Sequence, residues 1–554
     1  MPETSFQPDA TPVLAAPKPD TPRPDAKATT VAAIIVTWNR RKDVLRVLDR
    51  LAAQIGERQA LHAIVVANGC VDGTEDAISE RLAPEQVISN NASDPAVPVF
   101  ETHGSRPAGT NLAGIDRLTV IRNRHNLGGC GGFNTGMRFV AQSLGRPGTE
   151  TGPDFLWLLD DDIDLPKGAL NHLLAAADSD PGVALVGSRT VDLRDRATTI
   201  ESTIYFDADQ GRMAPEPPAG HPLEASHHAW AQDRTGDRSS GTCEVDVVSA
   251  CSMLVRWKAI ERVGFWDDRF FIYCDDADWC LRLKRDGWRV VCAMDAVVYH
   301  TPWTHKLTPS RGYYLHRNLL WMIRKHLTGA TRRRAVLRWC ARLLREARSA
   351  AVNRRLTEAG LLLRSIEDAA TGRGGKLENS SESCDAVQAV LEAAHAGGWI
   401  AVPLQSKDGF LAAERLRAHV TNTLIAQGRG SLQPRWRYLA EEGLTLATHG
   451  GDGPVRGEHR PELVRYRPTR VGKLAALARI APRPPAAVVV IDGDCAFPLV
   501  LGGPTLRFET GQPEKIAREP GGLLAMVRFA CRWMRTGLRA AMYAMSSRER
   551  TPAA

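Results

Sequence analysis

The sequence predicts an α/β fold with a mostly parallel central sheet, followed by a mainly helical C-terminal region with a small β element. Between residues 31 and 300, short apolar runs alternate with amphipathic helical segments. This alternation is typical of parallel strands joined by helices. Beyond residue 329 the chain is basic and mainly helical in its periodicity. A length of 554 residues is also too great for one hydrophobic core.

We therefore predict three parts. Residues 1–30 contain seven prolines among Asp, Ala and Thr and are predicted to form a disordered tail. Residues 31–328 are predicted to form the α/β domain. Residues 329–554 are predicted to form a mainly helical, basic region whose role the sequence does not reveal.

The composition excludes several classes of protein. The formal charge of +8 is modest and lies largely in the C-terminal part, which indicates a local basic face and no nucleic-acid partner. Eleven cysteines include no Cys-x-x-Cys pair, so neither a zinc site nor a disulfide framework is indicated. No apolar run reaches the roughly 20 residues that span a bilayer. A cytoplasmic protein of unknown oligomeric state fits these features best.

The strands of the predicted sheet follow one another at regular intervals. Apolar, partly β-branched runs predict buried strands at 31–36, 61–66, 118–121, 155–159, 183–188 and 290–300. The stretch 205–242 is rich in Pro, Gly, His and Asp and is predicted to be a long loop, as functional lids often are.

Three consecutive aspartates end the strand 155–159. Side chains alternate along an extended chain, so Asp160 and Asp162 point to one side and Asp161 to the other. Two carboxylates at the carboxyl end of a buried strand suit a hard cation such as Mg²⁺ or Mn²⁺. A solvated turn that caps a helix near Pro166 is an equally good interpretation of the triplet alone.

Two further segments carry candidate residues. Four glycines among residues 128–132 indicate a backbone that approaches a ligand closely, or else a flexible loop. The acidic cluster Asp275, Asp276 and Asp278 opens a helix and either does chemistry or only compensates the helix dipole. A histidine after a strand, such as His300, is more often structural than a ligand.

The order of these motifs is more specific than any one of them. In chain order they read Thr-Trp-Asn-Arg from Thr37, Asn-Gly-x-x-Asp-Gly-Thr from Asn68, Asn-Leu-Gly-Gly-x-Gly-Gly-Phe from Asn126, Leu-Asp-Asp-Asp-Ile from Leu159, Asp-Asp-Ala-Asp-Trp from Asp275 and His-x-x-Trp-x-x-Lys from His300. This set resembles the inverting GT-A glycosyltransferases of family 2. Within them it looks most like the galactofuranosyltransferases of bacterial cell walls, over residues 31 to about 325.

The resemblance implies a role for each matching residue. Asp160, Asp162 and His300 would bind Mn²⁺ or Mg²⁺, which would hold the diphosphate of a nucleotide-sugar donor. Asp276 would be the general base, with Asp275 raising its pKa. The donor would be lined by Thr37, Asn39, Arg40, Asn68, Asn126, Gly128, Gly129 and Asp161. A glycan or glycolipid acceptor would contact Trp303, His305 and Trp266.

Two departures from the family pattern leave the substrates open. Ala67 stands where many relatives have an aspartate that contacts the base, and Val248 to Cys251 replace an Asn-Gly-Trp-Trp stretch that contacts the acceptor. We expect transfer from UDP-galactofuranose onto a lipid-linked or growing cell-surface glycan. Transfer from dTDP-rhamnose is the second hypothesis, and a non-catalytic binding protein of the same fold is the third.

The C-terminal helix predicted over Leu523 to Met545 is basic and amphipathic. It is predicted to carry Arg528, Arg532, Arg535 and Arg539 on one stripe. Such a helix can lie on an anionic membrane surface, which would make the protein peripheral on the inner face of the cell membrane. Docking on the protein's own core, with solvated arginines, is the other interpretation.

Overall fold

The structure is a computed structural model of the 554-residue chain. It describes residues 28–546 apart from 55–58, 93, 95, 106–113, 145–151, 233–239, 378–382, 395–398, 405–406, 443, 445–460, 468–484, 492–504, 509–514 and 520–521. The predicted tail therefore lies almost entirely outside the described residues.

The first domain is built on an eleven-stranded sheet, with a two-stranded hairpin beside it. Its strands are β1 (Thr29–Thr37), β2 (Gln59–Asn68), β3 (Gln86–Asn90), β4 (Phe100–Ser105), β5 (Arg117–Asn123), β6 (Phe155–Asp160), β7 (Val183–Asp192), β8 (Thr199–Glu201), β11 (Thr242–Glu244), β12 (Ser252–Arg256) and β13 (Arg289–His300), and the hairpin is β9 (Tyr205–Asp207) with β10 (Arg212–Ala214). The order across the sheet is β11-β13-β7-β12-β6-β1-β2-β5-β3-β4, with β8 paired to β7.

The direction of the strands decides where the site forms. Strands β6, β1, β2 and β5 are parallel neighbours, and β13 is parallel to β7. Strand β12 is antiparallel to both β6 and β7. Strand β3 is also parallel to β5. Strands β7 and β13 therefore run in the same direction as β6, and the carboxyl ends of all seven parallel strands lie at one edge of the sheet. Ligands of open α/β sheets bind at this edge.

Helices cover both faces of the sheet. They are α1 (Arg41–Ala52), α2 (Thr74–Leu82), α3 (Gly128–Ser143), α4 (Ala169–Asp178), α5 (Glu224–Gln232), α6 (Trp257–Val263) and α7 (Asp275–Arg285), with a short 3₁₀ helix at Trp303–Lys306. Alternate residues of β1 enter opposite cores. Ala32 and Ile34 join one core, while Val31, Ala33 and Ile35 join the other. Burial on both faces explains the continuous apolar runs of the sequence.

Four long helices join the first domain to the remainder. They are α8 (Pro309–His326), α9 (Gly329–Val352), α10 (Leu356–Thr371) and α13 (Gly522–Met545). Two further helices, α11 (Ala386–Ala394) and α12 (Lys407–Ala426), pack on a second sheet. A second 3₁₀ helix spans Gly430–Leu432.

The predicted small β element is a seven-stranded sheet. It consists of β14 (Ser383–Asp385), β15 (Trp399–Leu404), β16 (Arg435–Glu441), β17 (Glu462–Tyr466), β18 (Ala487–Ile491), β19 (Thr505–Phe508) and β20 (Lys515–Glu519), in the order β14-β20-β19-β18-β15-β16-β17. The fold class is confirmed, but this β element is larger than the sequence indicated, because strands such as β16 and β17 lack a continuous apolar run. The acidic turn at Asp492 lies outside the described residues.

Two other expectations are settled by the fold. The stretch 205–242 is not a plain loop, because it contains β9, β10, α5 and the first residue of β11. The nine cysteines whose side chains the structure describes are free thiols.

Candidate active site

The first half of the site forms where β6 and β13 end side by side. After Asp160 the chain turns and makes an antiparallel bridge with the last residues of β13. The Asp164 amide donates to the Tyr299 carbonyl (2.9 Å) and the Tyr299 amide donates to the Asp164 carbonyl (3.0 Å). This bridge holds Asp160 and Asp162 against His300. The two segments are 138 residues apart in sequence.

The three side chains converge as the spacing and the resemblance predicted. The His300 Nε2 atom lies 3.1 Å from Asp162 Oδ1 and 3.8 Å from Asp160 Oδ2. One ligand atom from each of the three residues lies within 4.8 Å of the other two. The helix α4 begins at Ala169 behind Gly168, without a side-chain cap hydrogen bond. The three aspartates therefore do not cap this helix.

The donor set suits a divalent cation. The two carboxylates suit a hard cation such as Mn²⁺ or Mg²⁺, and the imidazole nitrogen is a ligand that transition metals accept. Lysine and arginine balance part of the charge, because Lys306 Nζ lies 2.6 Å and Arg40 Nη1 lies 2.9 Å from Asp162 Oδ2.

The acids of the triplet differ in their electrostatics. Burial acts to raise the pKa of Asp162, but the hydrogen bond and charge of His300, together with the charge of Lys306, outweigh it and hold this pKa well below its usual range. Burial, together with the charge of Asp162, raises the pKa of Asp160 against the opposing charge of His300. The side chain of Asp160 is nevertheless 38% exposed. Burial also raises the pKa of Asp161 to about 7, against the Thr37 hydroxyl and the Arg40 charge. Asp162 is thus the most strongly ionised of the three.

The predicted donor residues form two groups. One lies at the end of β1, and the other surrounds the glycine-rich turn. Arg40 and Asn39 are at the open end of β1, where the Asn39 side chain accepts a hydrogen bond from the Val71 amide (2.8 Å). Thr37 is buried beside Asp161 at the same end. These residues line the edge of the sheet where a nucleotide is expected.

Asn68 has a structural task that the sequence did not reveal. It is 2% exposed, and its carbonyl oxygen accepts from Asn123 (3.0 Å) and from the Leu127 amide (3.1 Å). Its amide nitrogen donates to the Gly128 carbonyl (2.8 Å). Asn68 therefore positions the glycine-rich turn, and its amide is not available for a direct contact with the donor. The Asn126 side chain likewise accepts from the Gly128 amide (2.8 Å).

The glycines of this turn are explained mainly by protein packing. Gly128 has a φ of +77°, and a Cβ there would lie 2.1 Å from the Phe271 carbonyl oxygen. A Cβ at Gly132 would lie 2.4 Å from Val36 of β1. A Cβ at Gly129 would meet nothing within 4 Å. Protein packing thus does not require a glycine at Gly129, where a close approach to a ligand stays a prediction.

The second half of the site is the acidic start of α7. Burial, followed by the charge of Asp276, raises the pKa of Asp275 far above its ordinary value. Asp276 is less buried and accepts hydrogen bonds from the Ala277 amide (2.7 Å) and the Ala250 amide (3.2 Å). Burial and the charge of Asp160 raise the pKa of Asp276. The direction of the shift agrees with the prediction, and the charge of Asp160 contributes to it.

The loop that presents Asp276 is strained. Phe271, Tyr273 and Cys274 all have φ between 62° and 68°, in the left-handed region that side chains other than glycine avoid. Two fully buried residues of α8 hold this loop. Asn318 donates to the carbonyls of Phe270 (2.9 Å), Ile272 (2.8 Å) and Tyr273 (2.9 Å).

Arg317 completes this support. Its guanidinium donates to the carbonyls of Phe270 (2.9 Å), Arg269 (3.2 Å) and Gly375 (3.0 Å). The third acid, Asp278, is fully buried and pairs with Arg282, Lys325 and His326. Asp278 therefore anchors α7 to α8 and does not face the site.

The predicted acceptor residues are only partly placed as expected. Trp303 is half-buried beside the ring of Tyr273, with centroids 6.2 Å apart, and His305 is exposed on the same 3₁₀ helix. Trp266 is 3% exposed and packs between Phe133 and Trp279 in the core. The prediction that Trp266 contacts the acceptor is wrong, because its position next to the acidic segment in sequence does not bring it to the surface.

The sequence interpretation missed two charged residues of the site. Lys306 lies 2.9 Å from His300 Nε2 as well as contacting Asp162, and its place in the His-x-x-Trp-x-x-Lys motif was the only signal. Glu201, at the end of β8, lies near Asp276, His300 and Trp303. Its burial raises its pKa, as does the charge of Asp276, whereas Ser249 and His300 lower it. No motif marks Glu201.

This fold and site define a class of protein. A doubly wound sheet with two carboxylates and an imidazole clustered at its carboxyl edge, near the acidic pair Asp275 and Asp276, is an arrangement compatible with a glycosyltransferase. The profile of the family described as "Glycosyltransferase like family 2" matches residues 28–322, over half of the chain. The chain belongs to this family.

Comparison with known proteins shows similarity to a named relative and to distant solved structures. N-acetylglucosaminyl-diphospho-decaprenol L-rhamnosyltransferase of Mycobacterium tuberculosis is 26% identical over 218 residues, covering 38% of this chain and 68% of the relative. S. aureus TarS aligns at 14% identity with a TM-score of 0.36, covering 62% of this chain and 49% of TarS. GalNAc-T7 with UDP, GalNAc and Mn²⁺ aligns at 10% identity with a TM-score of 0.38, covering 58% and 52%. The chain thus spans about half the length of these two solved structures.

Proposed function

We propose that this protein transfers a sugar, with inversion, from a nucleoside diphosphate donor to a hydroxyl of a lipid-linked or cell-surface glycan, with the help of a divalent cation. One observation carries the proposal. Asp160, Asp162 and His300 converge at the carboxyl edge of the sheet, and the Asp160 charge raises the pKa of Asp276 across the same cleft.

Asp276 would act as the general base. An inverting displacement needs one base on the face of the sugar opposite the leaving group, and no enzyme nucleophile. The acceptor oxygen forms a bond to the anomeric carbon as the bond to the diphosphate breaks, and the proton of the acceptor passes to Asp276. The raised pKa of Asp276 makes it a stronger base than an ordinary aspartate.

The other acids and cations of the site would manage the charge of the donor. Asp160, Asp162 and His300 would hold a Mn²⁺ or Mg²⁺ ion, which would neutralise charge on the departing diphosphate. Lys306 and Arg40 lie beside Asp162 and would bind the phosphate oxygens directly. Asp275, buried at the start of α7 with a raised pKa, would support the loop beside the base.

Two donors are candidates, and each has its own support. The Mycobacterium tuberculosis relative is an L-rhamnosyltransferase, which supports dTDP-rhamnose. The Asn-Leu-Gly-Gly-x-Gly-Gly-Phe turn from Asn126 and the Asp-Asp-Ala-Asp motif from Asp275 resemble galactofuranosyltransferases, which supports UDP-galactofuranose. The acceptor follows by analogy in both cases, since the name of the relative describes a decaprenol-linked substrate.

A donor assay tests the proposal and separates the two donors. The purified chain is incubated with UDP-galactofuranose, dTDP-rhamnose, UDP-glucose or UDP-N-acetylglucosamine, with Mn²⁺ or with EDTA, and nucleotide release is measured. We expect release from one of the first two donors that EDTA abolishes and Mn²⁺ restores. Release that is equal for all four donors, or unchanged by EDTA, would contradict the proposal.

A further inference from the structure

The helix α13 has an outward face that is apolar, although the helix is already packed on the protein. Six large apolar side chains are between 50% and 69% exposed: Leu524, Val527, Met534, Leu538, Met542 and Met545. Their spacing of three, four or seven residues places them on one side of the helix. We call these six residues the outer face of α13. A row of exposed apolar residues of this length indicates a surface that contacts a partner.

The opposite side of α13 is held firmly by the fold. Trp533 Nε1 donates to the Leu344 carbonyl of α9 (2.8 Å), and Arg532 forms an ion pair with Glu367 of α10 (2.8 Å). Arg324 of α8 donates to the carbonyl of Tyr543. The interpretation that this helix docks on the protein's own core is therefore correct, whereas membrane binding stays a prediction. The outer face of the helix is not a solvated row of arginines, and Arg532 does not belong to that face.

Exposed arginines border the apolar residues. Arg528, Arg535 and Arg539 are exposed next to the outer face, and α13 contains no acidic residue. The neighbouring helix α9 exposes six more arginines, at positions 333, 334, 338, 342, 345 and 348. Its one acid, Glu346, pairs with Arg342 (2.7 Å). Two helices in contact thus present apolar side chains within a strongly basic surface.

We infer that the outer face of α13, with the arginines of α13 and α9 around it, binds the surface of an anionic membrane. Apolar side chains enter the boundary of the acyl chains, and arginines bind the lipid phosphates. A helix of 24 residues is about 36 Å long and can lie along the interface over its whole length. No helix in the described part of the chain is long and apolar enough to cross a bilayer.

The charge pattern favours lipid over a second copy of the chain. A two-fold contact between two outer faces would bring the arginines of both copies together, and like charges in contact repel. An anionic bilayer is complementary to the same pattern. A lipid-linked acceptor, which rests on the proposed function, would place this surface and the substrate at the same membrane, but binding to lipid does not depend on the transfer reaction.

Flotation of the full chain with vesicles tests the inference. The vesicles contain phosphatidylcholine alone or with about one third phosphatidylglycerol. We expect the protein to float only with the anionic vesicles. The triple variant R528S/R535S/R539S should bind about 100-fold more weakly, since each basic residue near the surface contributes about a fivefold factor. The apolar variant M534Q/L538Q/M542Q should also lose binding.

Matched controls separate this surface from general charge. The variant R194S/R415S/R429S removes three exposed arginines elsewhere and should float like the wild type. The variant D276N should also float like the wild type, so a failure of the catalytic proposal would not affect this result. Circular dichroism checks that each variant is folded.

Two outcomes would overturn the inference. One is flotation of the arginine variant equal to that of the wild type. The other is a wild-type dimer in light scattering that L538D converts to a monomer, without vesicle binding by either protein, because the outer face would then be an interface between copies of the chain.

Discussion

The two halves of the site are built in different ways. The half proposed to hold the cation, here called the cation half, consists of Asp160 and His300 at the ends of β6 and β13, with Asp162 two residues further on. A short antiparallel bridge at Asp164 and Tyr299 fixes these side chains. The base half lies on a loop with three residues in the left-handed region, held from behind by Arg317 and Asn318. The strands themselves therefore hold the cation half in place, whereas the base half depends on the buried side chains of Arg317 and Asn318. Substitutions distant from the reaction should weaken the base half much more than the cation half.

The largest effect is expected at Asp276. Replacement by Asn keeps the shape and removes the base, so kcat should fall by about 10³-fold with little change in donor affinity. Transfer rates and donor binding measured on the same preparation check this. The matched control is D209N, an exposed carboxylate far from the cleft. Turnover of D276N within a few-fold of an active wild type would mean that Asp276 is not the base. A wild type without transfer activity would instead favour a binding protein.

The next effect concerns the cation half. H300A and D162N should each lower transfer by about 100-fold at limiting Mn²⁺, because a missing ligand weakens metal binding. Excess Mn²⁺ should restore part of the activity of H300A, which keeps both carboxylates. Rates are measured across a Mn²⁺ titration after treatment with EDTA. Equal Mn²⁺ dependence in wild type and H300A would show that His300 is not a ligand.

A smaller effect tests the support of the base half. N318A removes three hydrogen bonds to the loop carbonyls, so kcat should fall by about tenfold while Mn²⁺ affinity stays the same. The control is N171A, which removes an exposed amide of α4. If N318A weakened Mn²⁺ binding as much as kcat, the two halves would not be separable in the way we describe.

The smallest effect is on stability and concerns Asp161. The pKa of Asp161 is raised to about 7 in the folded protein, above the unfolded value of about 3.9. The folded state therefore binds more protons than the unfolded state between these values, and the stabilisation is lost as the pH rises through about 7. D161N should remove this loss and raise stability at pH 8 by roughly 1 to 4 kcal/mol.

Thermal unfolding at pH 5 and pH 8 checks the prediction for Asp161. The difference between D161N and wild type should be larger at pH 8 than at pH 5. The exposed D209N serves as control. A difference that is larger at pH 5 would show that Asp161 is stabilised in its ionised form, and that the nearby Arg40 dominates over burial.

The same contrast explains which features could be predicted from the sequence. Asp160 and Asp162 were found because strand periodicity and position at a strand end are local properties. The bulk of the first sheet was predictable for the same reason. The support of the base half depends on Arg317 and Asn318, more than 40 residues from the loop that they hold, and no local pattern reports such a contact.

Other differences share this cause. The sequence leaves a close approach to a ligand and a flexible loop both open for the glycine-rich turn, but Gly128 and Gly132 are required by Phe271 and by β1, which approach only in the folded chain. The predictions place Trp266 at the acceptor, yet its ring packs in the core. The second sheet was underestimated because its strands are short and partly polar, so tertiary packing and not periodicity determines them.

Direct measurement of Mn²⁺ binding tests the central claim, which is that one half of the site holds the cation and the other removes the proton. Mn²⁺ is titrated into wild type, D276N and H300A, and free Mn²⁺ is followed by electron paramagnetic resonance. The account predicts one site with equal affinity in wild type and D276N, and binding at least about tenfold weaker in H300A. Equal affinity in H300A, or loss of binding in D276N, would contradict it.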